Sequence, residues 1–200
     1  MKSIPLAVFL VLLLAGSAAA STVDFRNETT FGGALNQTSF FDGNTITVTA
    51  MPNGARLWWD STDGFGVQYG YEKDEIESVE RLKIGFSTPV HLSSVLITDL
   101  FNEGYLERGS YQLNESGNWI YFSALASQTP SSSNGELTVP IDPNVWVNSI
   151  TFRAPGQLLF QAHEFSVAAI ETTAAPIPAS AWLLVSGLLG LVAIRRRLKK

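Results

Sequence analysis

Carboxylates gather in the middle of the chain, around and after an Asp-x-x-Asp-Gly turn sequence. The five residues that we consider for metal binding are Asp60, Asp63, Asp74, Glu75 and Glu77. Calcium takes about six to eight hard oxygen ligands from flexible loops, so these residues form a candidate calcium site. Their spacing differs from that of an EF-hand loop, in which acids alternate ahead of a glycine. The alternative is an acidic loop that is solvated and holds no metal.

Aromatic rings are a second kind of candidate, because a flat ring can stack on the C–H face of a sugar. Alternation along residues 118–123 places Trp119 and Tyr121 on one face of a strand. Ile120 and Phe122 lie on the other face, and if that face meets the core, the first face forms an open sugar-binding platform. Further rings that could contribute are Trp58, Trp59, Tyr69 and Tyr71. The alternative is packing in the core, since β-sandwich cores are themselves rich in aromatic residues.

Groups suited to catalysis are sparse in this sequence. The only histidines are His91 and His163, and alternation places His163 among apolar residues, which favours a buried structural histidine over a general base. No Gly-x-Ser-x-Gly nucleophile elbow is present. We therefore expect a protein that is not an enzyme. The alternative is a secreted carbohydrate-active enzyme that uses paired acids such as Asp74, Glu75 or Glu77.

Charge separates the middle of the chain from its two ends. All 18 acids lie between Asp24 and Glu171, whereas six of the 13 bases lie near the ends, so the middle carries a formal charge of −11. Without a basic face or stripe, this argues against a nucleic-acid partner. The chain has no cysteine, which excludes a disulfide framework, a thiolate zinc site and a cysteine nucleophile.

Short β-branched and aromatic runs, bounded by turn residues, are the elements that must position these side chains. The runs predict strands at residues 45–50, 55–59, 65–71, 81–86, 90–100, 118–125, 136–139, 145–152 and 158–170. Turn signals such as Thr88-Pro89 separate them, and only residues 73–80 are compatible with a helical turn. We predict one all-β domain over residues 21–173, a β-sandwich or jelly roll of eight or nine strands.

The first twenty residues have the three regions of a secretory signal peptide. Lys2 supplies the basic start, an apolar run follows at residues 4–15, and Ala18-x-Ala20 precedes Ser21. We therefore expect export, with cleavage by signal peptidase after Ala20. The alternatives are an uncleaved membrane anchor and a buried helix.

The C-terminal end has an uncharged segment followed by bases. Residues 179–194 would give roughly 24 Å of helix, slightly less than a hydrocarbon core of about 30 Å. Arg195, Arg196 and Arg197 then form a membrane stop on the cytoplasmic side, so the chain before them faces outward. The prediction is a transmembrane helix within a C-terminal signal at residues 174–200. A buried core helix is the alternative.

A Pro-x-Pro motif stands ahead of this segment. It consists of Pro176, Ile177 and Pro178, followed by Ala179 and then Trp182. Together with the glycine-containing span and the arginine cluster, it resembles the C-terminal sorting signal of the PEP-CTERM class, in the variant whose tail reads Val-Pro-Leu-Pro-Ala. The resemblance implies recognition by an exosortase-type processing enzyme, removal of the tail, and delivery to the cell surface or extracellular matrix of a Gram-negative bacterium.

These observations predict an exported cell-surface or matrix protein that is structural, adhesive or polysaccharide-associated. Its expected partners are signal peptidase, the exosortase-type enzyme, the inner membrane during sorting, and extracellular polysaccharide, with no nucleic acid. We expect no cofactor apart from the candidate calcium ion. A protein that stays in the membrane by a single span remains open as a further alternative.

Overall fold

The computed structural model describes residues 20–27, 36–41, 44–69, 75–131, 134–155 and 163–173. The predicted signal peptide, Pro-x-Pro motif, transmembrane segment and arginine cluster lie outside these residues, as do Tyr71 and Asp74. Within the described ranges, no helix has the length and apolar character needed to span a membrane.

Eleven strands and one 3₁₀ turn make up the described chain, which confirms the all-β prediction. The strands are β1 (Ser21–Asp24), β2 (Asn36–Phe41), β3 (Asn44–Met51), β4 (Arg56–Asp60), β5 (Gly64–Gln68), β6 (Arg81–Thr98), β7 (Arg108–Leu113), β8 (Ile120–Ser123), β9 (Leu137–Pro140), β10 (Trp146–Arg153) and β11 (Ser166–Thr172). The 3₁₀ turn, Phe25–Asn27, follows β1. Every strand pair between these elements is antiparallel.

The sequence patterns did not predict three of the strands, and one predicted break between two strands is wrong. β1, β2 and β7 were not predicted, and the strands predicted at 81–86 and 90–100 are one strand, β6. Pro89 lies in an exposed stretch of β6 that has no strand partner, so its missing N–H costs no ladder hydrogen bond. Among the described residues of the predicted helical turn, 75–80, the chain forms an ordinary turn closed by the Glu80 N–H on the Glu77 carbonyl.

The strands form two sheets that share β6. The front sheet has the order β2–β3–β6–β10–β7–β8, and it uses residues 81–91 of β6. The back sheet has the order β4–β5–β11–β6–β9, with β1 added on β11, and it uses residues 92–98 of β6. This arrangement is consistent with the predicted β-sandwich.

One hydrophobic core lies between the sheets. The front sheet contributes alternate residues, as in β3, where Ile46 and Val48 are buried and the intervening threonines are partly exposed. The back sheet contributes Phe65 of β5, and Phe165 lies just before β11. Burying each such side chain stabilises the fold by about 1.5–3 kcal/mol. The same alternation leaves the outer side of the front sheet covered with polar residues.

β1 pairs with the strand that leads to the C-terminal segment. Ser21 lies opposite Thr172, and the Thr172 hydroxyl donates a hydrogen bond of 3.2 Å to the Ser21 carbonyl. The Thr173 N–H donates to the His91 carbonyl at 2.8 Å, which closes the end of β11 against β6. Ala20–Thr173 forms one compact unit whose first and last strands are therefore neighbours.

Candidate functional site

The outer side of the front sheet, which we call the front face, carries polar and aromatic groups in register. Strand pairing arranges its side chains in three rows across the sheet. The first row contains Thr47, Gly85 and Ser149; the second Thr49, Lys83, Thr151 and Gln112; the third Met51, Arg81, Arg153, Ser110 and Tyr121. Half of these side chains are short, and three of the short ones, Ser149, Thr151 and Ser110, are buried.

Trp119 and Tyr121 lie at the β8 edge of the front face, on the same side of the strand, as alternation predicts. Tyr121 pairs with Ser110 of β7, and its side chain is 65% exposed. On the opposite side, the Phe122 ring meets Phe165 edge to face at 5.2 Å. This contact turns Phe122 towards the core and Tyr121 outward. Because β8 is an edge strand, Ile120 on the inner side is only half covered.

Arg153 covers the ring of Trp119. Its guanidinium carbon lies 3.9 Å from the ring centroid, a cation–π contact worth about 0.5–1 kcal/mol at an exposed site. The Arg153 Nε also donates to the Ser110 hydroxyl at 3.4 Å, and that hydroxyl donates to the Arg153 carbonyl at 3.3 Å. Trp119 therefore supports the guanidinium, and Tyr121 is the open ring of the pair.

A groove of about 380 Å³ runs beside Tyr121, lined by Val79, Glu80, Arg81, Arg153 and Pro155 among others. Val79 is 64% exposed, so the groove presents an aliphatic and an aromatic surface together with two guanidinium groups. Glu80 is buried, and its Oε2 accepts the N–H of Glu77 at 3.1 Å. Its carboxylate thus closes the preceding turn.

A second concavity, of about 490 Å³, lies over the first row of the front face and includes Lys83 and Asn114. Lys83 forms an ion pair with Glu115 across the groove. The Asn114 side chain fastens the β7–β8 turn to β10, because its Nδ2 donates to the Trp146 carbonyl at 2.8 Å and its Oδ1 accepts the Asn148 N–H at 2.6 Å. Hydroxyl, amide and charged groups thus line this part of the face.

The other two tryptophans proposed for sugar binding lie in the back sheet. Trp59 packs against the core, and its Nε1 donates to the Phe25 carbonyl at 2.6 Å, so it holds the 3₁₀ turn. Trp58 lies on the outer side of β4 opposite Gly66, and its buried Nε1 has no hydrogen-bond partner among the described residues. The structure therefore does not bring Trp58 and Trp59 together with Trp119 and Tyr121.

Two of the candidate calcium ligands organise the β4–β5 turn. Asp60 Oδ1 accepts the backbone N–H groups of Thr62 and Asp63 at 2.7 and 2.8 Å, an Asx-type turn. The Asp63 carbonyl accepts the Thr98 hydroxyl at 2.7 Å, which ties this turn to β6. One Asp60 oxygen is therefore committed to the turn.

Glu75 and Glu77 lie further along the chain, past the end of β5. The Glu75 carbonyl accepts the Val67 N–H at 3.1 Å, which places this segment beside β5. Asp74 lies outside the described residues. Within the described ranges, no three Asp, Glu or His side chains are grouped to hold a metal ion. The calcium site accordingly stays a prediction.

One buried acid was missed at the sequence level. Glu107 is 1% exposed, and its Oε2 accepts the Phe101 N–H at 2.5 Å. Burial raises the pKa of its carboxyl to about 8, against the opposing effect of that hydrogen bond and with help from the nearby Glu164, Glu103 and Asp99 charges. No local pattern marks this residue, because the loop before β7 determines its burial.

The two histidines have structural surroundings. His163 is buried, as alternation predicts, and its ring meets Tyr105 edge to face at 5.8 Å. Burial, followed by the charge of Arg108, lowers the pKa of His163. His91 stacks on the exposed Trp146 ring with centroids 3.8 Å apart. Neither histidine lies among the lining residues of the two grooves on the front face.

Comparisons with known proteins show a distant structural likeness. No protein-family model matches the chain, and no curated protein matches it. Among solved structures, the chain is similar to an exo-β-1,3-galactanase from Phanerochaete chrysosporium, solved with galactose, at 13% identity and a TM-score of 0.41. The likeness covers 77% of this chain and 29% of that one, so the chain spans less than a third of the galactanase's length.

Proposed function

We propose that this protein is exported, sorted through its C-terminal tail, and binds extracellular polysaccharide on the front face without altering it chemically. The observation that carries the binding half is the Tyr121 ring, 65% exposed beside a groove that also presents Arg81 and Arg153. The delivery half rests on the signal-peptide pattern and on the resemblance of the tail to PEP-CTERM signals.

The chemistry of the front face suits a sugar polymer. A sugar ring has one apolar C–H face and a rim of hydroxyls, so it needs a flat apolar surface with hydrogen-bonding groups around it. Tyr121 supplies the surface, and side chains that line the concavity over the first row, such as Thr47 and Asn148, supply polar groups. The face is open and shallow, which favours a chain laid along it over a small molecule enclosed in a pocket.

The carboxylates of the front face support binding over hydrolysis. Glycoside hydrolysis requires two carboxyl groups flanking one bond, one of them free to donate a proton. Here Glu80 accepts the Glu77 N–H, and Glu115 pairs with Lys83. Both acids have roles in the fold, so we propose a protein that is not an enzyme.

The binding half is tested with the full chain purified in detergent, on immobilised polysaccharides. We expect Tyr121→Ala to lower affinity about tenfold, which corresponds to about 1.4 kcal/mol of lost contact with the ring. Tyr69→Ala is the matched control, because Tyr69 is also an exposed tyrosine, 45% exposed, just after β5 of the back sheet. Equal affinities for the two variants and the wild type, or release of shortened sugars, would contradict the proposal.

The delivery half is tested by intact mass. We propose that signal peptidase cuts after Ala20 and that an exosortase-type enzyme removes the segment after the Pro-x-Pro motif. β1 begins at Ser21, directly after the first of these sites, so the mature N-terminus would enter the back sheet at once. An exported species that still carried Arg195–Lys200 would be incompatible with tail removal.

A further inference from the structure

We propose that the polysaccharide held by the front face is anionic, and that Arg81 and Arg153 bind its carboxylate groups. This inference rests on the proposed polysaccharide binding and names the class of polymer. The bases of this acidic domain are unevenly distributed. Arg81, Lys83 and Arg153 are three of the seven Lys and Arg residues between positions 21 and 173, where the formal charge is −11, and all three lie on the front face.

Neither Arg81 nor Arg153 has an acidic partner among the described residues, whereas Arg26 and Lys83 do. Arg26 binds Asp24 and Glu136, and Lys83 binds Glu115. Within the described residues, neither Arg81 nor Arg153 forms an ion pair. Two guanidinium groups thus remain available in a domain that has a large excess of carboxylates.

Strand register places these two charges side by side. Leu82 of β6 lies opposite Phe152 of β10, so the next position brings Arg81 opposite Arg153. Like charges directly opposite each other on neighbouring strands repel and destabilise the sheet. A bound carboxylate between them would remove this repulsion, which makes an anion the complementary ligand of this row.

Arg153 is also held in a fixed orientation. The Trp119 ring supports its guanidinium at 3.9 Å, and Ser110 accepts its Nε. A planar guanidinium fixed in this way presents its remaining N–H groups as a fork, the geometry that matches a carboxylate with two parallel hydrogen bonds. Tyr121 in the same row offers its ring to the sugar that bears the carboxylate.

Within the described residues, the carboxylates near this row form no ion pair with Arg81 or Arg153. Glu80 lines the same groove but is buried, with Oε2 on the Glu77 N–H. The excess of acids elsewhere on the domain repels a polyanion, so a uronate polymer would be confined to the front face. The charge pattern therefore selects both the class of polymer and its place of binding.

The test compares a carboxylated and a neutral polymer. The full chain in detergent is titrated with polygalacturonate and with a neutral galactan, and each titration is repeated at high salt. For Arg81→Gln and for Arg153→Gln we expect affinity for polygalacturonate to fall about five- to tenfold, as for loss of one charge-assisted contact, and affinity for galactan to fall several-fold less. Arg56→Gln, an exposed arginine on β4 of the back sheet, is the charge-matched control.

A further variant keeps the test decisive if Arg153→Gln disturbs the fold. Arg153→Lys keeps the positive charge but lacks the planar fork, so we expect affinity for polygalacturonate between those of the wild type and Arg153→Gln. Circular dichroism melting of every variant checks that each is folded. Full wild-type affinity in Arg153→Lys would show that a positive charge at this position is sufficient. It would contradict the proposal that the planar guanidinium binds the carboxylate through two parallel hydrogen bonds.

The outcomes separate this inference from the proposed function. Galactan and polygalacturonate bound equally, with dependence on Tyr121 but not on Arg81 or Arg153, would overturn the anionic ligand and leave polysaccharide binding standing. No binding to either polymer would overturn the proposed function itself. Duplex DNA bound as tightly as polygalacturonate, with the same dependence on the arginines, would overturn the assignment to a polysaccharide.

Discussion

The buried Glu107 carboxyl predicts that the folded protein loses stability as the pH rises. Its pKa is about 8 in the folded protein, and the ordinary value of 4.5 applies when the chain is unfolded. Below about pH 4.5 the carboxyl is protonated in both states. Between the two pKa values the folded state holds a proton that the unfolded state has lost, so raising the pH favours unfolding.

The magnitude follows from the gap between these two pKa values. Each pH unit crossed within the gap costs about 1.4 kcal/mol of unfolding free energy, or about 2–3 kcal/mol between pH 5.5 and 7.5. The loss is complete above about pH 8, where it reaches at most about 5 kcal/mol. That is a large fraction of the total stability of an ordinary domain.

Urea denaturation at several pH values measures this effect in wild type and Glu107→Gln. The glutamine keeps the shape of the side chain and an oxygen to accept the Phe101 N–H, but it cannot ionise. We expect its unfolding free energy to exceed that of the wild type by an amount that grows with pH. Glu103→Gln is the comparison, because Glu103 is an exposed acid of the same loop whose charge helps to raise the pKa of Glu107, so we expect a smaller change in the pH dependence.

The refuting result is a difference between wild type and Glu107→Gln that stays constant from pH 5 to pH 8. A constant difference would mean that Glu107 titrates at the same pKa in the folded and unfolded chain. An equal change in slope for Glu103→Gln would likewise contradict the assignment, since it would trace the effect to the net charge of the loop.

Three further predictions concern packing and the acidic stretch. Trp59→Phe should lower the unfolding free energy by about 1–3 kcal/mol, because it leaves the Phe25 carbonyl of the 3₁₀ turn without its hydrogen-bond donor. Trp58→Phe should have a smaller effect in the same urea assay, because the Trp58 Nε1 has no hydrogen-bond partner among the described residues. Gly109→Ala should cost about 1–3 kcal/mol, since its Cβ would lie 2.2–2.7 Å from the rings of the partly buried Phe122 and the buried Phe165. Gly85→Ala, with no atom nearer than 3.8 Å, should cost less. Calcium binding by the acidic stretch predicts a Tm that falls with chelator and recovers with added Ca²⁺, and an unchanged Tm would remove the site.

The sequence predicts strands best where alternation is complete. In β3 the buried Ile46 and Val48 are each followed by a threonine, and buried and partly exposed residues alternate along the whole strand. β7 does not show this alternation, because Gly109, Ser110 and Tyr111 are all buried, and Gly109 has no side chain to reveal an inward position. The rings of Phe122, on the next strand, and of Phe165, far along the chain, fill the space beside Gly109. Its burial therefore depends on contacts that only the fold creates.

The front face was predictable in part. Alternation along residues 118–123 places Trp119 and Tyr121 on one side, because it needs only the geometry of a single strand. The stacking of Arg153 on Trp119 joins residues 34 positions apart and depends on the pairing of β10 with β7 and of β7 with β8. No local spacing contains that information. The same limit applies to Glu107, whose pKa is set by burial in a loop.

The pairing of β1 with β11 makes the order of the strands along the chain less important than their places in the sheet. Ser21 and Thr172 are directly opposed, roughly 5 Å apart as such pairs are, so a short linker could join them and new ends could open at the exposed turn 142–144. Such a circular permutant should keep both sheets. For the same reason, a tether attached at the first strand and a tether attached at the last strand would hold the domain at nearly the same place. The front face would therefore have the same orientation with either tether.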